Sequence, residues 1–556
     1  LDKKFSLGIS SKIETLFNQL VSIKSDTGTI LEVDIENYIW QWIGKIDYFK
    51  KNPSMYGKYL LKGDPLERFV VWALLKGKGK KTTILLHHHD VVDSLDYGIL
   101  REYAYNPDLL QKKLQKFNLS EDVKYDLKSG KWIFGRGTAD MKAGAAIQLV
   151  LLEEYSKLKE FDGNLVLLSV PDEESLSFGM REGINLLMKL KNEFELDYKI
   201  IINSEPHERE EDSTGSLYVG SVGKIMPTIY VRGRKAHIKD AFSGFNPIIL
   251  LSKIVEKTDL NPYFSDVVGD EISPPPSWIY ARDRKKYYDV SIPEAAGGYF
   301  NILTLKRTPK KILNELKEIC EEASKDIMDY IDNNYKDFKS RTNIEDNELG
   351  LDVKVKIFSE LYDQAIKDSG NKFLEEYNSL MEKIKKDIEY NRASVPESTF
   401  VIIEKTLEYI KDLSPMVIIS FSPPYYPHIS NIDFKELPMS VLTLADKIND
   451  FSKDSWNEEY KKYNYFMGIS DMSYGALNAS EEIAPYIGPN MPLWGNIYKI
   501  PLENMENLSI PSINIGPWGK DLHKLSERVL KRDLLERTSK LIQFAIDHVL
   551  RCNKQY

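Results

Sequence analysis

The chain has 556 residues, 42% of them hydrophobic and 29% charged, with a formal charge of −9. That length exceeds what one hydrophobic core organises, so two or more domains are expected, and the composition is that of a folded globular chain. The acidic balance with scattered lysines excludes the concentrated basic face that nucleic acid requires, and the longest apolar runs are too short for a membrane span. Cys320 and Cys552 lie far apart in segments with helical patterns, which gives neither a disulfide framework nor a thiolate metal site. The first residues, Leu1 to Phe5, hold no apolar stretch of the kind a secretory signal has, and a cytoplasmic protein is expected.

From 12 to 52 the apolar residues Ile13, Leu16, Leu20, then Ile35, Tyr38, Ile39, Trp42, Ile43 and Ile46 recur at helical spacing, so helices open the chain. Leucine-rich and β-branched runs at 69–75, 82–86, 165–170, 198–203 and 510–515 read as buried strands. Helical patterns at 143–159 and 179–192 alternate with them. This predicts an α/β domain built on a mainly parallel sheet with helices on both faces. After Gly220-Ser221-Val222-Gly223 the pattern changes to a strand at 225–231, a helix at 246–257, extended segments at 277–281 and 298–305, and a long helix at 309–335. Beyond these come a lysine- and glutamate-rich helical stretch and a strand at 416–421. The reading is a smaller α+β domain at 224–425, enlarged by helix between about 336 and 413, inserted into a first domain made of 1–223 and 426–556. Pro274-Pro275-Pro276 and Pro423-Pro424 break elements inside it or at its edge.

The strand ends carry the chemistry. The run at 82–86 leads into His87-His88-His89-Asp90, 165–170 into Pro171-Asp172-Glu173-Glu174, 198–203 into Ser204-Glu205-Pro206, and 510–515 into a loop that reaches His523. Ligands of open α/β sheets bind at the carboxyl ends of the strands, so these four segments converge on one site. A fifth candidate, the glycine-rich Gly135-Arg136-Gly137-Thr138-Ala139-Asp140, enters a helix nearby. Taken singly, each has a plainer reading: a triple histidine as packed structure, adjacent acids as surface charge, Glu-Pro as a turn, His523 as a cap on a helical pattern at 524–532. Their shared position beyond apolar strands favours metal binding. His207, His428 and His548 have no such support and read as structural.

Together with Ala236-His237, Gly468-Ile469-Ser470-Asp471 and Gly516-Pro517-Trp518-Gly519-Lys520-Asp521-Leu522-His523, these motifs resemble, in order and over nearly the whole chain, the dinuclear-zinc metallopeptidases. That family includes aminoacylase, succinyl-diaminopimelate desuccinylase and glutamate carboxypeptidase. Pro274-Pro275-Pro276, Arg282-Asp283, Phe300-Asn301 and Pro423-Pro424-Tyr425-Tyr426-Pro427 resemble its arginine-utilisation, RocB-type branch. The resemblance implies that His88 and Glu205 bind one metal, Glu174 and His523 the other, and Asp140 bridges them. Imidazole and carboxylate donors suit two divalent ions, zinc by default, with manganese or cobalt compatible. Asp90 would accept the second N–H of His88, and Glu173 would be the general base for the attacking water.

His237 is similar to the family histidine that stabilises the oxyanion, which makes the inserted domain a lid. The lid arginine that clamps a substrate carboxylate is assigned to Arg307, with Arg282 and Arg284 as alternatives, and Asn246 joins the substrate-binding set. The charged segment 96–131 is an addition to the family pattern that would shape the mouth of the site. The implied substrate is a small peptide or an N-acyl amino acid, with no nucleic acid and no membrane involved. A dipeptidase or carboxypeptidase and a deacylase of amino-acid catabolism both remain open, as does a non-catalytic metal-binding or regulatory protein. Monomer and homodimer are equally compatible.

Overall fold

The computed structural model describes residues 8–209, 212–341, 349–390 and 392–551. Cys552 and Leu1 to Phe5 lie outside them. The chain divides into two compact units, one comprising Leu1–Val222, Ile429–Asn478 and Pro501–Tyr556, the other Gly223–His428 and Ala479–Ile500. The segment Ala479–Ile500 therefore belongs with the second unit, whereas the sequence pattern places all of 426–556 in the first. Its place has a local cause. The N–H of Phe421 donates to the carbonyl of Asn490 (2.8 Å), and Tyr498 Oη accepts from the N–H of Tyr425 (3.0 Å).

The first unit is built on an eight-stranded sheet in the order Tyr56–Leu60, Phe69–Lys76, Asp162–Val170, Lys78–His88, Asp197–Asn203, Ser512–Asn514, Thr214–Tyr218, Glu459–Tyr463. The four central strands, from Asp162–Val170 to Ser512–Asn514, are parallel, and antiparallel pairings occur towards the edges. This is the mainly parallel α/β sheet the sequence implies. Both faces are covered, as continuous apolar strands require. Leu165, Leu167 and Leu85 share a core with the helices Ile9–Ser22, Leu31–Gly44, Lys142–Ser156 and Thr538–Arg551. The alternate residues Leu168 and Val170 lie on the other face, where Gly183 of the helix Phe178–Phe194 brings its backbone against them.

The segment after Tyr97 is helical, with Pro107–Leu114 and Glu121–Ser129, and its apolar residues Leu110, Leu114 and Val123 pack with Trp132, Phe134, Trp518 and Leu530. The helix expected at 524–532 is not there. Arg528–Leu530 is instead a strand, paired on one side with Trp132–Phe134 and on the other with Gly519–Lys520. That pairing gives its backbone hydrogen bonds that a local pattern does not reveal.

The second unit is α+β. Its five-stranded sheet runs Ser277–Asp283, Ala295–Thr304, Gly223–Arg232, Met416–Tyr426, Lys354–Ile357, antiparallel except at the last pair. The strand expected to stop at Phe421 continues through Pro423-Pro424 to Tyr426 with a break in register after Ser422, the irregularity prolines impose inside a sheet. The long helix expected at 309–335 runs over Pro309–Ser340, and the helical enlargement between about 336 and 413 consists mainly of Phe358–Glu389, interrupted at Gly370, and Val395–Leu407. Among the described residues of both units no helix is long and apolar enough to cross a membrane.

Candidate metal centre

The central strands of the first unit end level with one another. His88 pairs with Val170, Leu86 with Asn203, and Asn203 with Asn514, so the residues after each strand emerge along one edge. Alternation then sorts the three histidines. His87 Nδ1 meets Gln148 Oε1 (2.9 Å) and His89 Nδ1 meets Ser169 Oγ (2.9 Å), while His88 turns the other way. His87 and His89 are thus held inside the fold by Gln148 and Ser169.

His88 Nε2 lies 3.0 Å from Asp140 Oδ1 and 3.3 Å from Glu205 Oε1. His523 Nε2 lies 3.2 Å from the other oxygen of Asp140 and 3.0 Å from Glu174 Oε2. Three overlapping triads result, His88 with Asp140 and Glu205, Asp140 with Glu174 and His523, and His88 with Glu173 and Glu174, each with its ligand-type atoms within 4.8 Å of one another. Glu173 Oε2 is 3.9 Å from His88 Nε2.

The acid loop is pinned from behind. Asp172 adopts a left-handed φ of 70°, and its carboxylate pairs with Arg68 (2.8 Å) while its N–H donates to Glu32 (2.9 Å). Arg68 also bonds Glu32 and Asp64, so the buried acids around this turn share one buried guanidinium. Asp90 departs in part from its expected role. His88 Nδ1–H donates to the main-chain oxygen of Asp90 (3.0 Å), with the Asp90 carboxylate at 3.5 Å. The carboxylate itself accepts the N–H groups of Glu173 (3.2 Å) and Glu174 (3.1 Å). It thereby joins the histidine strand to the acid loop. Across the site the turn after Ile515 passes so close to Glu205 that a side chain on Gly516 would sit 1.9 Å from the Glu205 carbonyl, which only glycine permits.

Charge dominates this edge. Hydrogen bonds to Asp140 and Glu174 push His523 up to about 11, and His88 is raised well above its ordinary value against its burial by Glu205 and Asp140. Burial, then the charge of Asp140, pushes Glu205 up to about 8, and burial with the charges of Asp471, Glu205 and Glu174 raises Glu173 well above the carboxylate range. Carboxylates this crowded call for positive charge between them. Glu174 Oε1 is buried with no hydrogen-bond partner, and the nitrogen and carboxylate donors form the set that borderline divalent ions take. The residues present therefore fit a metal centre.

Sequence reasoning gives no role to Asp471, buried beside Glu173 and pushed up to about 7 by burial, although Gly468-Ile469-Ser470-Asp471 stands out as a motif. It also misses Glu527, whose Oε1 accepts the N–H groups of Ala139 (3.1 Å) and Asp140 (3.3 Å). No local pattern marks Glu527.

The remaining expected residues lie in the second unit. His237 is exposed and caps the short helix Ile238–Ser243, its Nδ1 accepting the N–H of Lys239 (3.2 Å), which leaves the proton of the neutral ring on Nε2. Arg307 does not present a free guanidinium. It is buried and paired with Asp266 (3.2 Å) and Glu315 (3.0 Å), a structural pairing that overturns its assignment as a substrate clamp. Arg284 is likewise held by Glu397 and Glu404. Asn246 is exposed and caps a helix: its Oδ1 accepts the N–H of Ile248 (3.1 Å) at the start of Pro247–Thr258.

The sequence model described as peptidase family M20/M25/M40 matches residues 115–516. The chain belongs to that family. Over 548 residues it is 32% identical to the uncharacterized protein YqjN of Bacillus subtilis, covering 96% of each chain. To protein RocB of the same organism it is 30% identical over 547 residues, 97% of this chain and 95% of that one. Among solved structures the fold resembles a metallo-carboxypeptidase of the M20 family from Sulfolobus solfataricus, with a TM-score of 0.52 at 12% identity over 97% of this chain and 99% of the other. The chain is thus a hydrolase of a metal-dependent peptidase family, and the non-catalytic reading falls.

Proposed function

We propose that the protein hydrolyses a C–N amide bond in an N-acyl amino acid or small peptide, using two divalent ions. His88 and Glu205 would hold one, Glu174 and His523 the other, and Asp140 both. The observation that carries the reading is the division of the Asp140 carboxylate, one oxygen 3.0 Å from His88 and the other 3.2 Å from His523. When bound, such ions polarise a substrate carbonyl and acidify water.

The protein's own groups supply the rest. Glu173, anchored through its N–H on Asp90 and next to His88, takes the proton of the attacking water and passes it to the leaving nitrogen. His88 keeps its Nε2 lone pair for a cation because Nδ1–H is engaged by Asp90. His237, with a proton on Nε2, is a competent hydrogen-bond donor to an oxyanion. Zinc is the first choice of ion, and manganese or cobalt suits the same donors.

The likeness to RocB makes arginine-containing compounds the first to try within a deacylase or dipeptidase activity. Protein reconstituted with zinc, manganese or cobalt should be offered matched pairs, an N-acetyl amino acid and the dipeptide of the same residue, with arginine among them. Release of free amine from one series, abolished by a chelator, is expected, and the preferred series decides between deacylase and dipeptidase. Metal-loaded protein that cleaves neither series refutes the activity.

A further inference from the structure

The two proposed metal positions differ in how they are held. His88 and Glu205 are almost fully buried, His88 at the end of one strand of the central sheet and Glu205 just after another, whereas the His523 side chain is 50% exposed on a loop. That loop is left-handed at both Asp521 (φ 54°) and His523 (φ 63°), a conformation that a non-glycine residue keeps only when its surroundings enforce it.

One guanidinium stands at the centre of those surroundings. Arg136, exposed to only 1%, donates from Nη2 to the main-chain oxygen of His523 (3.3 Å) and to Asp96 (2.6 Å), from Nη1 to Glu527 Oε2 (2.9 Å), and from Nε to the carbonyl of Asp93 (3.1 Å). The second oxygen of Glu527 holds the N–H groups of Ala139 and Asp140. The Arg136–Glu527 pair therefore grips the main chain of two of the three residues in the Asp140, Glu174, His523 triad. A second clamp closes the far side. Asp126 accepts from Arg528 Nε (2.8 Å) and from Lys520 Nζ (3.0 Å), and Arg528 also pairs with Asp521. Asp96 and Asp126 both belong to the segment 96–131, and through Arg136, Lys520 and Arg528 their bonds reach the loop that carries His523.

We propose that Arg136 and Glu527 are positioning residues for the ion at His523, and that Asp96 and Asp126 fix the loop carrying that histidine from either side. The inference rests on the dinuclear reading above. It assigns the added segment a role in setting the affinity of one metal position and not of the other.

The test is calorimetric titration of metal-free full-length protein with Zn2+ alone, with thermal melting of each sample alongside. Wild type should take two ions. Asp96→Asn and Asp126→Asn should leave the first ion unchanged and weaken the second about tenfold, and Arg136→Lys should weaken it by up to about 100-fold, the range for residues that orient metal ligands. If Arg136→Lys does not fold, the two aspartate variants decide. A lowered melting temperature with unchanged second-ion affinity, or equal weakening of both ions, overturns the proposal. Wild type that binds fewer than two ions refutes the dinuclear reading itself, and this inference with it.

Discussion

The two units treat charge differently. In the first, Glu32, Asp64, Arg68, Asp90, Arg136, Asp172, Glu205, Asp471, Glu527 and Arg528 are all buried, and several are joined in ion pairs, as Arg68 is to Glu32, Asp64 and Asp172 and Arg136 to Glu527. The second unit carries most of its ion pairs on the surface, as in Lys253 with Glu256 or Lys405 with Glu408, where such contacts contribute little. Arg307 with Asp266 and Glu315 is its main buried cluster. Taking a charge out of water costs several kcal/mol unless partners replace the solvent. The first unit bears that cost repeatedly around one edge of one sheet, the edge at which we propose the metal centre.

The contrast can be broken at several points. Asp140→Ala should have the largest effect, abolishing activity and removing both ions, because its carboxylate faces both His88 and His523; metal analysis that still finds two ions would contradict the bridge. Glu173→Gln should lower kcat by roughly 10²- to 10⁴-fold while metal content stays near that of wild type, and a retained rate would remove it from the mechanism. His237→Ala should cost on the order of 10²- to 10³-fold in kcat with unchanged metal binding. A normal rate in that variant returns the histidine to its capping role.

Arg307→Met tests the second unit's main buried cluster. Leaving Asp266 and Glu315 unpaired should destabilise the fold by about 3–5 kcal/mol in denaturant melts, with KM for any substrate unchanged in the protein that remains folded. A raised KM at full stability would restore the substrate-clamp assignment.

The smallest effect concerns acid. Burial pushes His87, His207 and His428 down to about 4 and His89 to about 3, so the folded chain keeps them neutral where the unfolded chain, with ordinary histidines near 6.5, takes up protons. The unfolded state binds more protons in that window, so their contribution to stability is complete above pH 6.5 and is lost as pH falls towards 4. Three of the four lie in the first unit. NMR titration of the imidazole carbons from pH 7.5 to 5 should therefore find these four rings unprotonated in the folded chain, and a ring that titrates near 6.5 would contradict the neutral assignment.

Legibility in the sequence rests on short-range rules. His88, Glu174 and Glu205 are legible because an apolar run ending in a ligand-type residue marks a strand end in a parallel sheet, and alternation separates His88 from His87 and His89. Asp140 and His523 need the resemblance to give them roles. The failures have equally physical causes. Arg307 reads as an available charge because its partner Asp266 is distant in sequence. The stretch at 524–532 reads as helix because its strand pairing is with Trp132–Phe134. Asn246 is different, since an Asn before Pro at the start of an apolar helical pattern is a capping signal legible in the sequence itself. Glu527 shows no signal at all, because its role is defined only by the main chain of Asp140 folding onto it.

The chain passes from one unit to the other four times, since Ala479–Ile500 completes the second unit after the first has resumed. Excising 223–428 as a single block would strip Phe421 and Tyr425 of hydrogen bonds to Asn490 and Tyr498. A recombinant version of the smaller half must be spliced from two stretches, and a family member lacking either one has to find a substitute edge for the strand that holds those residues.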